Sequence, residues 1–501
     1  MLFNSYAFIF AFFPIVLFGF FLVGWRSTRA AAGFLALASL FFYGWWSIEA
    51  MPLLLASICI NYWFGLQLTP QPGRSDAGRK RMLVLALTVN LVVLGIFKYA
   101  DFFVGNVNEG LAAAGIAPLP MPHLLLPIGI SFYTFTQIAF LVDCWQGKVR
   151  ERSFVHYVLF VTYFPHLIAG PVLHHAQMMP QFANQATYRM NADHIAQGLA
   201  IFSFGLAKKL LVADPVGQYA DLVFHGAHQG VAPGLFTAWF GVLAYTLQIY
   251  FDFSGYSDMA IGLSLCFGIR LPLNFDSPYK STSIIEFWRR WHISLSTFLR
   301  DYLYIPLGGN RKGPARRHIN LFLTMLLGGL WHGAAWTFVI WGALHGAFLI
   351  VNHFWNALLR RDAKAPRSRI GRVFGWLLTF VCVMVAWVVF RAESTGAAMR
   401  IYEGMLGLNG APLTAFKEAY ETMPLLRKNE FYQTMIAGLF ICLALPPAIS
   451  LVRWVPEAQA LQGRPVLSRL FTVGMAVLTV TLFGFSVSKL GNFSPFLYFQ
   501  F

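Results

Sequence analysis

Imidazole is the side chain best suited to take and return a proton near neutral pH, and this chain carries thirteen histidines. His332 stands in Leu326-Leu327-Gly328-Gly329-Leu330-Trp331-His332-Gly333-Ala334, within apolar sequence long enough to cross a bilayer. An ionisable group held there is a functional candidate, as a general base or a nucleophile. Its glycine neighbours would let another chain or a substrate approach the backbone, and Gly328-Gly329 reads as a break in the helix. A neutral histidine bonded inside a helix bundle would leave the same trace, and residue type does not separate the two. His292, in Phe287-Trp288-Arg289-Arg290-Trp291-His292-Ile293-Ser294-Leu295-Ser296, falls four residues after Trp288 and three before Leu295. It shares their helical face, which favours a packing role satisfied by a carbonyl over direct catalysis. His166 lies between Pro165 and the turn Ile168-Ala169-Gly170-Pro171, where a structural role is favoured over lining a cavity.

The other histidines point to less. His345 and His353 would lie roughly 20 and 30 Å beyond His332 on one straight helix, too far to share a metal unless the chain folds back. His174-His175 and the pair His225 and His228 read as loop residues. No metal site is expected. The five cysteines are scattered and none forms a C-x-x-C, so they read as buried free thiols. Walker, H-E-x-x-H, G-x-S-x-G and dinucleotide motifs are all absent.

Charges in apolar sequence need partners. Asp252 and Asp258 flank Ser254 and Tyr256 at the end of one apolar run, with Arg289, Arg290 and Arg300 as the expected counter-ions. Arg289 and Arg290, followed by Leu307-Gly308-Gly309-Asn310-Arg311-Lys312, would suit an anionic phosphate. Phospholipid headgroups would suit them equally well.

The elements that must position these residues follow from composition. Of 501 residues, 57% are hydrophobic and 12% charged, against about 25% charged in soluble domains. One large soluble globule is excluded for want of polar surface; an all-α polytopic membrane protein fits. Spans are expected near 3–24, 33–48, 51–68, 82–104, 123–145, 195–213, 234–253, 319–337, 338–357, 373–391, 431–451 and 470–489, eleven or twelve in all. They form a single membrane domain over 1–501. Two segments break the pattern. Residues 154–175 hold Pro165, His166, Gly170 and Pro171 and read as re-entrant. In 284–312, Trp288, Trp291, Leu295, Phe298 and Tyr302 repeat at helical spacing, giving an amphipathic helix and basic loop at the cytoplasmic side.

The net charge is +16, from 37 Lys and Arg against 21 Asp and Glu. The excess sits in Arg26–Arg29, Arg74–Arg81, Lys148–Arg152, Arg311–Arg317, Arg360–Arg372 and Arg453–Arg469. Short basic loops between apolar runs indicate the cytoplasmic side of a membrane rather than a nucleic-acid footprint. Asp214–Ala232 and the longest polar segment, 392–430, would then be outer loops.

Several of these stretches together resemble the membrane-bound O-acyltransferase family. They are Leu126–Tyr133, Phe164–Pro171, Tyr250–Gly262, Glu286–Arg311, Leu326–Gly333 and the terminal Ser494–Phe501. Within the family the likeness is to the branch that acetylates bacterial exopolysaccharides such as alginate and cellulose. It runs from end to end and is weakest over 392–470. The resemblance implies a ring of helices around a central funnel, with His332 as the catalytic histidine and His292 as the second characteristic one. It implies acetyl-CoA as a donor substrate arriving from the cytoplasm, with no permanently bound cofactor, at a bacterial inner membrane. The acceptor would be the polysaccharide, delivered by a synthase and secretion complex, or a periplasmic SGNH-type acetyltransferase. On this reading Arg289, Arg290 and Lys312 attract the CoA phosphates. Trp331, Trp288, Asp258 and His166 line the funnel, Asp258 being structural and paired with a buried donor. Transfer of D-alanyl or another acyl group by the same fold, and transport of a lipid-linked sugar, are the alternatives. In the latter, Asp252 and Asp258 would relay protons.

Overall fold

A computed structural model describes the chain except for residues 72, 74, 169, 360–367, 412–427, 453–464, 492–495 and 498–501. Most of the basic segments Arg360–Arg372 and Arg453–Arg469, and the C-terminal motif apart from Phe496 and Leu497, therefore lie outside the described residues. The described residues form helices and connecting turns with no strand. Six helices are long and apolar enough to cross a membrane: Met51–Leu68, Asp76–Ala113, Ala192–His228, Trp336–Leu358, Arg369–Arg391 and Phe471–Ser488. Phe8–Gly24 and Phe431–Ala444 are shorter apolar helices. The other expected spans fall on helices that are shorter or more polar. Only 6% of the last long window is buried inside the protein, so an almost bare apolar helix faces outward, as lipid requires. The protein is a multipass membrane protein.

The chain divides into two compact units. The first comprises Met1–Phe202 and Met259–Pro272. It holds α1 (Phe13–Gly24), α2 (Thr28–Trp46), α3 (Met51–Leu68), α4 (Asp76–Ala113), α5 (Ile130–Trp145), α6 (Phe154–Thr162), α7 (Phe164–Leu167) and α8 (His175–Ala183). Its core is aromatic, with Phe3, Phe8, Phe12, Phe42 and Phe164 ring against ring. Buried amides pair in it as well: Asn90 Nδ2 donates to Asn61 Oδ1 at 2.6 Å. The nine residues of α6 span only about 14 Å, less than half a hydrocarbon core, before Tyr163 interrupts the helix. His166 is buried there, its Nε2 2.9 Å from the Phe160 carbonyl oxygen. His175 is no loop residue: it opens α8, buried, with Nδ1 2.8 Å from Asp143 Oδ2.

The second unit comprises Ser203–Asp258 and Leu273–Phe501. Helix α9 (Ala192–Ala207), which belongs to this unit from Ser203 onward, leads through a π-helical turn, Lys208–Ala213, into α10 (Asp214–His228). Asp214–Ala232 was expected as an outer loop, yet the helix runs on to His228, with a π-helical turn at Lys208–Ala213 directly before Pro215. His225 and His228 close α10, exposed, and face Glu393 at 3.4 and 3.5 Å. Then follow α11 (Leu235–Cys266), α12 (Ile284–Arg290), α13 (Ile293–Leu299), a π-helical turn at Arg300–Tyr304, α14 (Gly313–His332) and α15 (Trp336–Leu358). Helices α16 (Arg369–Arg391), α17 (Thr395–Met405), α18 (Lys428–Ala444) and α19 (Pro465–Ser488) complete it. The segment 392–430 thus begins with a helix, α17, before passing outside the described residues.

Gly328-Gly329 does not break α14, which is continuous to His332. The glycines serve packing instead. A Cβ on Gly329 would fall onto the Phe338 carbonyl oxygen and the backbone of Gly342, and one on Gly342 onto the Met325 carbonyl oxygen. Helices α14 and α15 therefore meet backbone to backbone, as small residues allow in membranes. Gly329→Ala should lower the thermal unfolding midpoint in detergent, the overpacking costing about 1–3 kcal/mol or more. A midpoint equal to wild type would refute this packing.

Candidate active site

His332 is the last residue of α14, buried at 6% exposure. Its imidazole is boxed by rings: Trp331 at 4.9 Å, Trp341 at 5.0 Å and Phe390 at 5.2 Å between centroids. It borders a cavity of about 10 Å3 whose other walls are Ile249, Asp252, Phe253, Trp291, Trp341, Trp387, Phe390, Phe496 and Leu497. The hairpin that follows carries His345 back alongside, so the straight-helix separation does not hold. Trp341 lies 4.8 Å from the His345 ring and 5.0 Å from that of His332. No cluster of three or more His, Cys, Asp or Glu able to hold a metal occurs among the described residues.

The second histidine sits where the expected long amphipathic helix is broken. The 3- and 4-residue spacing of Trp288 through Tyr302 does not lie on one helix: Trp291 is extended, and His292 is left-handed at φ +42°. The cause is Asn274, wholly buried, which competes for the backbone at this point. Its Oδ1 accepts from Ser294 N and Ser294 Oγ at 3.2 and 2.9 Å, and its carbonyl oxygen accepts from Ile293 N at 2.9 Å. His292 Nδ1 lies 3.1 Å from the same Oδ1. An amide oxygen can only accept, so Nδ1 carries the proton and Nε2 presents a lone pair. That Nε2 is buried without a hydrogen-bond partner among the described residues. His292 is thus held by a side-chain amide rather than a carbonyl of the chain. Trp331 stands near both imidazoles, its ring 6.4 Å from that of His292. Sequence reasoning missed Asn274, which no motif singles out.

The buried acids are balanced by lysines, not by Arg289, Arg290 or Arg300. Lys208 Nζ is 2.5 Å from Asp258 Oδ2, and Lys209 Nζ is 2.5 Å from Asp252 Oδ1 and 2.8 Å from Asp214 Oδ1. Gly255, midway between the two aspartates, makes this possible: a Cβ there would meet the Gly205 carbonyl oxygen and Lys208 Cβ. The other oxygen of Asp252 accepts from Leu497 N at 2.9 Å, which fixes the C-terminal wall of the cavity, and Phe496 stacks on Tyr256 at 4.6 Å. Asp258 is therefore an anchor, and it does not border the cavity.

A second, larger cavity of about 570 Å3 is lined by Trp288, Arg289, Arg300, Tyr304, Asn310, Arg317 and His353, among others. Of the basic residues expected to meet a phosphate, only Arg289 lines it. Arg290 is bound to Glu286 at 3.0 Å and to Asp276 at 3.7 Å. Lys312 is exposed at the start of α14 and does not line it. Arg317 and His353, which periodicity gave no reason to choose, take their place. The acid paired among these cations is Asp301, on Arg300 at 2.6 Å. Trp288 links the two cavities. It lines the larger one, donates from Nε1 to His345 Nδ1 at 3.3 Å, and packs 5.8 Å from Trp341, a wall of the smaller.

A family model for membrane-bound O-acyltransferases matches residues 135–392. The chain is 42% identical to a probable alginate O-acetylase of Azotobacter vinelandii, with all of both chains covered. It is also 42% identical to a peptidoglycan O-acetyltransferase of Helicobacter pylori, over 87% of this chain and 86% of that one. A teichoic acid D-alanyltransferase of Bacillus subtilis is 26% identical over 58% of this chain and 78% of its own length.

Proposed function

The chain belongs to the membrane-bound O-acyltransferase family and is an O-acyltransferase; from that premise we propose that it transfers acetyl from acetyl-CoA toward an exopolysaccharide. The observation that carries this reading is the pairing of two cavities in one unit. A buried imidazole closes a small aromatic cavity. One tryptophan contact away, a cation-rimmed cleft has the volume of an ordinary small-molecule site.

The reaction follows from those groups. The acceptor hydroxyl attacks the thioester carbonyl carbon, so a C–O bond forms and the C–S bond breaks. His332 takes the hydroxyl proton and returns it to the departing thiolate, leaving the acetyl ester and CoA-SH. His292, with its bare Nε2, accepts a hydrogen bond from a reacting group or orients Trp331. Arg289, Arg300 and Arg317 meet the CoA phosphates. The basic loops lie in the cytoplasm, the membrane is the bacterial inner membrane, and the acceptor is an alginate-like polymer or a periplasmic SGNH-type partner. The full-length likeness to acetylases supports acetyl over D-alanyl as the cargo.

Arg289→Gln and Arg317→Gln should each raise KM for acetyl-CoA about tenfold or more, the worth of a charge-assisted phosphate bond. Steady-state release of CoA from labelled acetyl-CoA, with and without alginate oligomers, measures this. Wild-type KM in both variants would remove the cleft from the donor path.

A further inference from the structure

We infer that the aromatic wall around His332, and Trp341 above all, restricts the transferred acyl group to two carbons. The inference rests on the donor reading above and adds a chain-length filter to it. The cavity at His332 measures about 10 Å3, close to the least that admits one water molecule. That leaves room for about one small group beside the imidazole, and none for the two further methylenes of a butyryl chain.

The walls cannot yield singly. Trp341 and Trp387 are each 1% exposed and lie parallel at 6.0 Å. Phe390 packs on both, at 5.1 and 5.3 Å, and Trp291 meets Trp387 at 5.0 Å. In a close-packed cluster a ring moves only if its neighbours do. Trp341 also has a second face, toward Trp288 and so toward the larger cleft. It is therefore the partition on the side from which a thioester's arm would arrive. A shorter side chain at 341 would extend the smaller space as far as Trp288, and a shorter one at 390 would deepen it.

The test is acyl transfer from acetyl-, propionyl- and butyryl-CoA to one acceptor, by full-length wild type, Trp341→Leu and Phe390→Leu in membranes. The readout is the butyryl-to-acetyl rate ratio within each preparation, which cancels differences in the amount of folded protein. Wild type should disfavour butyryl at least about tenfold, and either variant should raise the ratio at least about tenfold, in line with what methylenes are worth in an apolar pocket. Butyryl used as readily as acetyl by wild type overturns the inference without any variant. So does an unchanged ratio in an active variant. Robust acetyl transfer with an unchanged ratio leaves the donor reading standing, whereas no transfer from acetyl-CoA by wild type removes both.

Discussion

His332→Ala is expected to lower acetyl transfer by about 100- to 10,000-fold, the usual contribution of a positioned general base. The imidazole is the titratable side chain bordering the small cavity apart from Asp252. That carboxylate is already held by Lys209 and the Leu497 N–H. Acetyl content of the polymer at matched expression is the measurement, and wild-type content in the variant would reject the mechanism. His332→Gln, which keeps bulk among Trp331, Trp341 and Phe390, should be as inactive as the alanine variant, since the loss is of a proton acceptor and not of packing.

The second large effect concerns folding. Lys209→Met should destabilise the protein by about 3–5 kcal/mol, because it strands two carboxylates that the ammonium now bridges. Asp252 is 1% exposed and cannot recover its solvation in place. The loss should appear as poor recovery of monodisperse protein and a lowered unfolding midpoint. Lys209→Met combined with Asp252→Asn should regain much of it, by removing the more deeply buried of the two stranded charges. A single variant with a wild-type midpoint would show that the bridge carries no stability.

What could be read from the chain alone depended on how local the cause was. That His332 is buried was legible because the sequence around it is apolar; the turn after it was not, since the runs were divided between 337 and 338 and the break was read at Gly328-Gly329, whereas α14 ends at His332 and α15 begins at Trp336. The break at His292 was not legible. The spacing of Trp288, Trp291 and Leu295 is helical, and the group that overrides it, Asn274, is 18 residues upstream. Partners for Asp252 and Asp258 were sought among nearby arginines, but Lys208 and Lys209 come from another helix, brought in by the close approach at Gly255. Arg317 escaped notice because a basic residue at the start of a span reads as an interfacial charge until a cleft is seen beside it.

The bare-backbone seam between α14 and α15 bears on how anything reaches the centre. Helices joined through side chains can slide by exchanging rotamers; these two have no side chains at Gly329 and Gly342 to exchange. The histidine is consequently mounted on a stiff post, walled by the interlocked indole and phenyl of α16 and by residues 496 and 497, which Asp252 and Tyr256 hold in place. Whatever reaches this imidazole therefore meets a fixed pillar, and the room beside it is set by the walls rather than by the post.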